Sequence, residues 1–181
     1  MTQDEVRELV EKKKVKELIS LLTTEAVDIQ GEAIRSLGNL ADRRAVEPLT
    51  KLITNKDSRI RMAVIEALVK ILGVDSIPYL LEAWNYGGAK VKSYVERLLD
   101  KFGEEAIQPL IISLKSRITG NDRHSDVAQD TLVKIGDPAV RLLIEVIRRK
   151  ELLHFEAEEM AQIEKSICVL CKIGDKSAIQ P

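Results

Sequence analysis

The sequence has few aromatic residues and almost no net charge, and each shortage argues against a class of protein. Aromatic side chains make up 3% of the 181 residues, as expected where helices pack closely through Ala, Leu, Ile and Val. The formal net charge is −1, whereas a protein that binds nucleic acid through its phosphates usually carries a strong basic excess. The composition as a whole therefore gives no support to a general nucleic-acid binder.

Cysteine, histidine and long apolar runs are also scarce. The chain has two cysteines and two histidines, and no apolar run approaches the length of a membrane-spanning helix. The first residues, MTQDEVREL, contain neither the apolar stretch nor the cleavage site of a secretory signal. We therefore expect a cytoplasmic protein, and the balance of 31% charged and 45% apolar residues is typical of a soluble globular one.

A short motif recurs through the chain and organises it. Its clearest copy is residues 37–53, LGNLADRRAVEPLTKLI, in which an aliphatic residue precedes a two-residue turn and an aliphatic run follows it. The aligned turns are Ala41-Asp42, Leu72-Gly73, Gly103-Glu104, Gly136-Asp137 and Gly174-Asp175. A motif that returns about every thirty residues is the signature of a stacked-repeat architecture.

Apolar residues three and four apart flank each turn, and this spacing predicts two amphipathic helices in each repeat. Glycine suits the end of the first helix and aspartate caps the second, with Asp137-Pro138 as the best example. Two repeats lack the turn glycine in this alignment, because Ala41 and Leu72 replace it. Gly38 is predicted to face the next repeat and to allow close backbone approach.

The pattern of an aliphatic residue, Gly-Asp and then Ala-Val-x-Pro-Leu resembles the HEAT-like repeats of the bilin (phycobilisome) lyase type. The resemblance covers nearly the whole chain and implies an all-α, right-handed α-solenoid of about five and a half helical pairs. We expect a single domain, 1–181, composed of a half-module cap at 1–24, repeats at 26–54, 57–85, 88–117 and 122–150, and a last partial repeat at 152–181. The resemblance implies a fold rather than one activity, because the family includes lyase subunits, phosphatase and transport scaffolds, and adaptors.

Residues with the potential for catalysis or metal binding do not form a recognisable set. Cys168 and Cys171 are a CxxC pair without a second pair to complete a zinc site, and Cys171 aligns with Gly38, which favours a packing role over a redox or metal role. Neither His124 nor His154 is followed by an acid, whereas HEAT-like deoxyhypusine hydroxylase binds its di-iron centre through His-Glu pairs. The sequence predicts no catalytic residue, no metal site and no cofactor.

These observations favour a non-enzymatic interaction module whose second helices line a concave surface for a protein or peptide partner. Aligned positions of the second helices alternate in chemistry, and Ile112 is an apolar residue among mainly polar ones. Tyr86 lies at a loop edge, where a tyrosine suits recognition. The predicted binding residues are Lys16, Glu47, Lys51, Glu82, Tyr86, Gln108, Ile112, Arg141 and Glu145, with Ser20 and Pro78 in the same alignment.

Two other functions stay open from the sequence. The first is a lyase-like or chaperone-type enzyme subunit, and the second is nucleic-acid binding along one basic edge. The edge would consist of the Lys12–Lys16 cluster, Arg43-Arg44, Lys115 with Arg117, and Arg148-Arg149-Lys150. The polar loop at 115–126, with Gly120-Asn121 at its tip, is a further candidate for function. Trp84 aligns with Ile53 and Leu114 and is therefore predicted to fill the core.

The end of the sequence repeats the beginning of a second helix. Residues 177–181 match residues 44–48, and the preceding helix carries Ile163, Ile167, Leu170 and Ile173. One flank of that helix is expected to need a covering helix. We therefore expect either a piece of a longer repeat protein or a homodimer through this end.

Overall fold

The computed structural model describes residues 3–24, 26–114, 123–150 and 157–174, and every regular element in these ranges is a helix. The α-helices are α1 (Gln3–Glu11), α2 (Val15–Ser20), α3 (Val27–Leu40), α4 (Val46–Thr50), α5 (Ser58–Leu72), α6 (Ile77–Tyr86), α7 (Ala89–Phe102), α8 (Ile107–Ser113), α9 (Arg123–Ile135), α10 (Asp137–Lys150) and α11 (Ala157–Ile173). Short 3₁₀ helices span Leu21–Thr23, Arg43–Ala45, Gly73–Ser76 and Gly103–Ala106. The all-α prediction is confirmed, and the chain has the fold class of an α-solenoid.

The helices alternate between two positions in the repeat. The odd-numbered helices are the first helices of each pair and the even-numbered helices are the second. A residue with positive φ follows each first helix: Lys13, Ala41, Gly73, Gly103, Gly136 and Gly174, with φ between 50° and 78°. Lys13 forms the same kind of turn between α1 and α2.

The turn after α5 lies one residue later than the alignment predicts. Leu72 has φ −113° and belongs to α5, while Gly73 has a positive φ of 59°. The prediction that Leu72 replaces the turn glycine is therefore wrong. A side chain with a β-carbon is strained at positive φ, so the helix runs on until it reaches the glycine. The same prediction for Ala41 is confirmed, since Ala41 is left-handed with φ 51°.

Aspartate side chains begin the next segment after two of the loops. Asp42 accepts a hydrogen bond from the backbone N–H of Arg44 at 2.9 Å, and Asp57 accepts one from Arg59 at 2.8 Å. The guanidinium of each arginine also forms an ion pair with the same carboxylate, at 2.7 Å between Arg44 and Asp42 and 2.8 Å between Arg59 and Asp57. The predicted capping by Asp42 is confirmed. Pro138 lies in the first turn of α10 as predicted, but Asp137 is the first residue of that helix rather than the residue before it.

The chain divides into two compact units, residues 1–95 and 96–181. In the first unit α3 packs extensively on α5, and in the second α11 packs on α9 and α10. Fully buried side chains of the first unit include Leu18, Ile34, Leu37, Leu49, Ile53, Ile60, Leu68, Ile77 and Leu80. Those of the second include Leu99, Leu110, Leu114, Ala128, Leu132, Leu143 and Val169.

Gly38 is the point of closest contact between α3 and α5. A β-carbon placed on Gly38 would lie 2.7 Å from the Cα of Ala67 and 2.9 Å from its Cβ. These distances are too short for any side chain, so the two helices approach this closely only because Gly38 has none. The predicted role of Gly38 is confirmed.

Polar side chains of three first helices donate hydrogen bonds to backbone carbonyls of earlier segments. Gln30 of α3 donates its amide to the carbonyl of Leu22 at 2.6 Å, and Arg61 of α5 donates to the carbonyls of Asn55 and Lys56. In the second unit Gln162 of α11 donates to the carbonyl of Ile111 at 2.7 Å. These bonds give partners to carbonyls at a helix end or in a loop. The bonds of Gln30 and Arg61 join consecutive segments, whereas Gln162 reaches back from α11 to α8.

Several predictions fall on residues outside the described part of the chain. They concern the loop tip at Gly120-Asn121, the basic pair Lys115 and Arg117, and residues 177–181. The side chains of His124, His154, Arg149 and Lys150 lie outside it as well. The predicted bounds of the single domain and its repeats remain predictions.

Candidate protein-binding surface

Each second helix buries one face and exposes another, and the predicted binding residues lie on the exposed one. In α4, Leu49 is fully buried and Glu47 is exposed. Lys51, which directly follows α4, is also exposed and forms an ion pair of 3.1 Å with Glu47. We define the second-helix row as Lys16, Ser20, Glu47, Lys51, Pro78, Glu82 and Tyr86 in the first unit, and Gln108, Ile112, Arg141 and Glu145 in the second. Glu82 is half-buried and the other members are exposed.

Two members of the row expose large apolar or aromatic surface. Ile112 is 60% exposed and Tyr86 is 55% exposed. In α8 the neighbours Leu110 and Ile111 are buried in the core, so Ile112 points away from the face that holds the helix in place. Exposed isoleucine and tyrosine side chains can lose water on binding a partner without any loss of internal packing.

Trp84 does not fill the core as its alignment predicts. Ile53 and Leu114 are fully buried, whereas Trp84 is half-buried and carries the ammonium of Lys92 at 4.2 Å from its ring centroid. The indole ring is large, and the close contact between Gly87 and Val91 brings the start of α7 beside it. A cation over a tryptophan face is an attractive arrangement, so one ring face is covered by charge instead of by apolar packing.

A cavity of about 130 Å³ opens between the first turns of α3 and α5. Its charged lining residues are Asp28, Arg35 and Arg59. Both arginines already have carboxylate partners, because Arg35 bonds to Glu32 at 2.7 Å and Arg59 bonds to Asp57 at 2.8 Å. The cavity therefore presents compensated charge and gives no reason to assign a ligand.

The basic groups of the proposed edge lie at different ends of their helices and are partly neutralised. Lys13 and Arg43 precede second helices, whereas Arg148 lies near the C-terminal end of α10, so these groups do not occupy equivalent positions in the repeat. Arg44 holds the Asp42 carboxylate through its side chain and lowers the pKa of Asp42 to about 2. Lys12 likewise bonds to Glu8 and lowers the pKa of that carboxyl.

The prediction that Cys171 packs in the core is wrong. Cys168 and Cys171 are both free and exposed, on a face of α11 that also exposes Ile167 at 46%. The sequence alignment with Gly38 identified the right helical face. It missed that α5 covers this face of α3, whereas the same face of α11 is open to solvent.

The described residues contain neither a metal-binding cluster nor a membrane-spanning helix. Among them, no group of three or more His, Cys, Asp or Glu side chains is arranged to hold a metal ion. No helix in the described ranges is both long enough and apolar enough to cross a membrane.

Comparison with known proteins identifies the repeat. The model of the HEAT-repeat family matches residues 15–99. A crystal structure of an engineered protein aligns with 96% of this chain and 85% of its own, at 20% identity and a TM-score of 0.46. A second engineered protein aligns with 98% of this chain and 52% of its own, at 20% identity and a TM-score of 0.44. No curated protein gives a significant match.

The family match covers the segment in which the repeat is most regular, from α2 to near the end of α7. It does not single out the bilin-lyase type. The helical pairs and the matched segment agree, and residues 15–99 of this chain are similar to HEAT repeats.

Proposed function

We propose that this chain is a non-enzymatic scaffold that binds a protein or peptide partner through the second-helix row. HEAT repeats generally serve as scaffolds for protein interaction. The observation that supports the row most strongly is the 60% exposure of Ile112 on a helix whose other large apolar side chains are buried. Binding residues on rigid helices hold their geometry better than residues on loops, and every member of the row except Lys51, which directly follows α4, lies on a helix.

The row has the composition expected of a recognition surface. Ile112 and Tyr86 each provide an apolar anchor, and the row carries charged residues in both units: Lys51 and Glu82 in the first, Arg141 and Glu145 in the second. Interfaces commonly place a few apolar or aromatic anchors inside a polar rim. Because the charges of the row have both signs, we propose a partner segment that also mixes acidic and basic residues.

The test is a quantitative capture of proteins from a lysate of the cells that produce this chain, followed by affinity measurement with the protein captured. Ile112→Asp puts a charge at the apolar anchor, and Tyr86→Ala removes the second one. We expect each to weaken partner binding by about tenfold or more, as truncation of an interface anchor does. Lys51→Glu should have a smaller effect, because rim charges contribute less.

Matched controls separate a loss of binding from a loss of structure. Ile167→Asp makes the same substitution at another exposed isoleucine, on a first helix, and Lys90→Glu makes the charge reversal on α7. Both should leave partner affinity unchanged. If Ile112→Asp and Lys51→Glu bind like the wild-type chain while their circular dichroism is unchanged, the row is not the binding surface.

The other two functions give different results in the same preparation. Affinity for generic duplex DNA that falls steeply with salt would replace this proposal with nucleic-acid binding. Absorbance from a co-purified chromophore would favour the lyase-like subunit. The cytoplasmic location remains a prediction from the first residues of the sequence.

Self-association through the C-terminal end is a separate part of the proposal. The 46% exposure of Ile167 on α11 supports it, because an apolar side chain of this size is available to a second copy. It does not depend on the second-helix row.

A further inference from the structure

One face of α11 is exposed along most of its second half. The exposed residues are Glu164, Ile167, Cys168, Cys171 and Lys172, and we call them the α11 stripe. They are spaced three and four apart, so they lie on one side of the helix. Ser166, Val169 and Leu170 are buried on the other side, where α11 packs on α9 and α10. The stripe is therefore a separate, solvent-facing surface on a helix that is well anchored.

The corresponding face of α3 shows what this surface is shaped to do. Cys171 aligns with Gly38, and Gly38 contacts the backbone of Ala67 in the neighbouring first helix. Both positions carry small side chains, and small residues allow a second helix to come close. The α11 stripe thus has the shape of a helix-packing surface, with Ile167 and two thiols at its centre.

The charges at its two ends indicate which helix fits. Glu164 lies at the N-terminal end of the stripe and Lys172 at the C-terminal end, and Cys168 lies midway between them. A second copy of the stripe placed antiparallel about Cys168 brings each Glu164 opposite the other copy's Lys172. The surface is self-complementary in charge, which is the requirement for a two-fold interface.

We propose that two copies of this chain pair through their α11 stripes, antiparallel and centred on Cys168. Two opposite-charge pairs then set the register, and the two Cys168 thiols meet on the two-fold axis. Lys172 already contacts Asp130 of its own chain at 3.7 Å, but both side chains are largely exposed and such a pair is weak. Replacing the Asp130 pair by a pair between Lys172 and the second copy's Glu164 therefore loses little free energy.

The size of the stripe sets the expected strength. A standard stable interface buries about 800 Å² on each partner, and one face of three helical turns provides less than that. We therefore expect a dimer that forms reversibly and depends on concentration. Sedimentation velocity over a range from about 1 to 500 μM, with thiols kept reduced, should show the monomer converting to a dimer. A monomer at every concentration overturns the proposal.

The register is tested by charge reversal. Glu164→Lys alone places lysines opposite each other, and Lys172→Glu alone places glutamates opposite each other. Each should raise the dimer dissociation constant by about tenfold. The double variant restores opposite charges in the same positions and should recover the wild-type constant. If the double variant is as weak as the singles, the antiparallel register is wrong.

Thiol cross-linking tests the axis, with the two cysteines as controls for each other. In a Cys171→Ser background, oxidised glutathione should join two Cys168 residues by successive thiol–disulfide exchange. The two thiols lose two protons and two electrons, and the glutathione disulfide is reduced to two thiols. In a Cys168→Ser background, Cys171 lies off the axis and should cross-link at least fivefold more slowly. Since both thiols are exposed, equal rates would indicate random collision and overturn the proposal.

The same experiments distinguish this interface from the second-helix row. Ile112→Asp should dimerise like the wild-type chain, and Glu164→Lys should capture a row partner like the wild-type chain. Dimerisation that depends on Ile112 would assign self-association to the row and overturn the pairing through α11.

Discussion

Helices α3 and α11 are both first helices of a repeat, yet their equivalent faces differ in what touches them. In α3 the face around Gly38 lies against α5, and the position is a glycine because a β-carbon would overlap Ala67. In α11 the face around Cys171 is exposed, and it carries Ile167 and two free thiols. The same pattern position is thus the tightest contact in one helix and an open surface in the other.

The difference shows that a repeat pattern predicts a helical face and not its burial. Each helix of a stacked repeat has one face for its own pair and one for a neighbour. Whether the second face is covered depends on which helix packs there. Four predictions test or sharpen this comparison.

The largest effect is expected for loss of a buried leucine from α3. Leu37 is fully buried, so Leu37→Ala should lower the free energy of unfolding by about 2–5 kcal/mol, through lost burial and an unfilled cavity. Ile167→Ala on α11 removes a side chain that is 46% exposed and should cost less than about 1 kcal/mol. Urea unfolding of both variants measures the difference. If the two variants lose similar amounts of stability at low concentration, Ile167 must be buried within the monomer itself and the α11 stripe is not exposed.

The next effect concerns the two interior glycines of α3. Gly38→Ala should destabilise the protein by about 1–3 kcal/mol, although alanine favours helix, because the new β-carbon would overlap the backbone of Ala67. Gly31→Ala is the matched control, since its β-carbon would meet the flexible end of Arg35 at 3.4 Å and the Cδ1 of Ile60 at 3.9 Å, which are ordinary contact distances. That variant should be more stable by about 0.5–1 kcal/mol. Stabilisation by both would show that α3 and α5 do not pack this closely.

Substitutions in the turns that end α3 and α11 should change stability by smaller amounts, and in opposite directions. Ala41 is left-handed at φ 51°, so Ala41→Gly relieves strain and should raise the free energy of unfolding by about 0.5 kcal/mol. Gly174 has φ 78°, so Gly174→Ala introduces that strain and should lower it by about 1 kcal/mol. Thermal unfolding of the two variants should move in opposite directions. Shifts of the same sign would contradict the left-handed turns.

The smallest effect is the pH dependence of the cap after α3. The bond from Arg44 lowers the pKa of Asp42 from 3.8 to about 2. A lowered pKa stabilises the folded chain at pH above about 4, and this contribution is lost as the pH falls towards 2. Asp42→Asn should therefore lower the melting temperature by a few degrees at pH 7 and by nearly nothing at pH 2. A difference that does not change between those pH values would mean that the ion pair contributes nothing.

Much of the candidate surface was predictable from spacing alone. Glu47 and Lys51, or Gln108 and Ile112, lie one helical turn apart and between core residues, so their exposure follows from the helical period. The exposures of Ile112 and Tyr86 confirm that part of the prediction. The cation over Trp84 was not predictable, because Lys92 belongs to the next helix and meets the ring only after folding.

The sequence by itself determined the helices, their pairing and most of the turn residues, because these depend on local spacing, on capping aspartates and on the few residues that tolerate positive φ. Gly38 belongs to the same group, since a glycine in a helix face already indicates close approach. Only the tertiary structure decided that Leu72 stays in α5, that Trp84 takes a cation and that Cys168 and Cys171 face solvent. Each of these depends on which distant residue lies within a few ångströms, and a pattern along one helix carries no information about that.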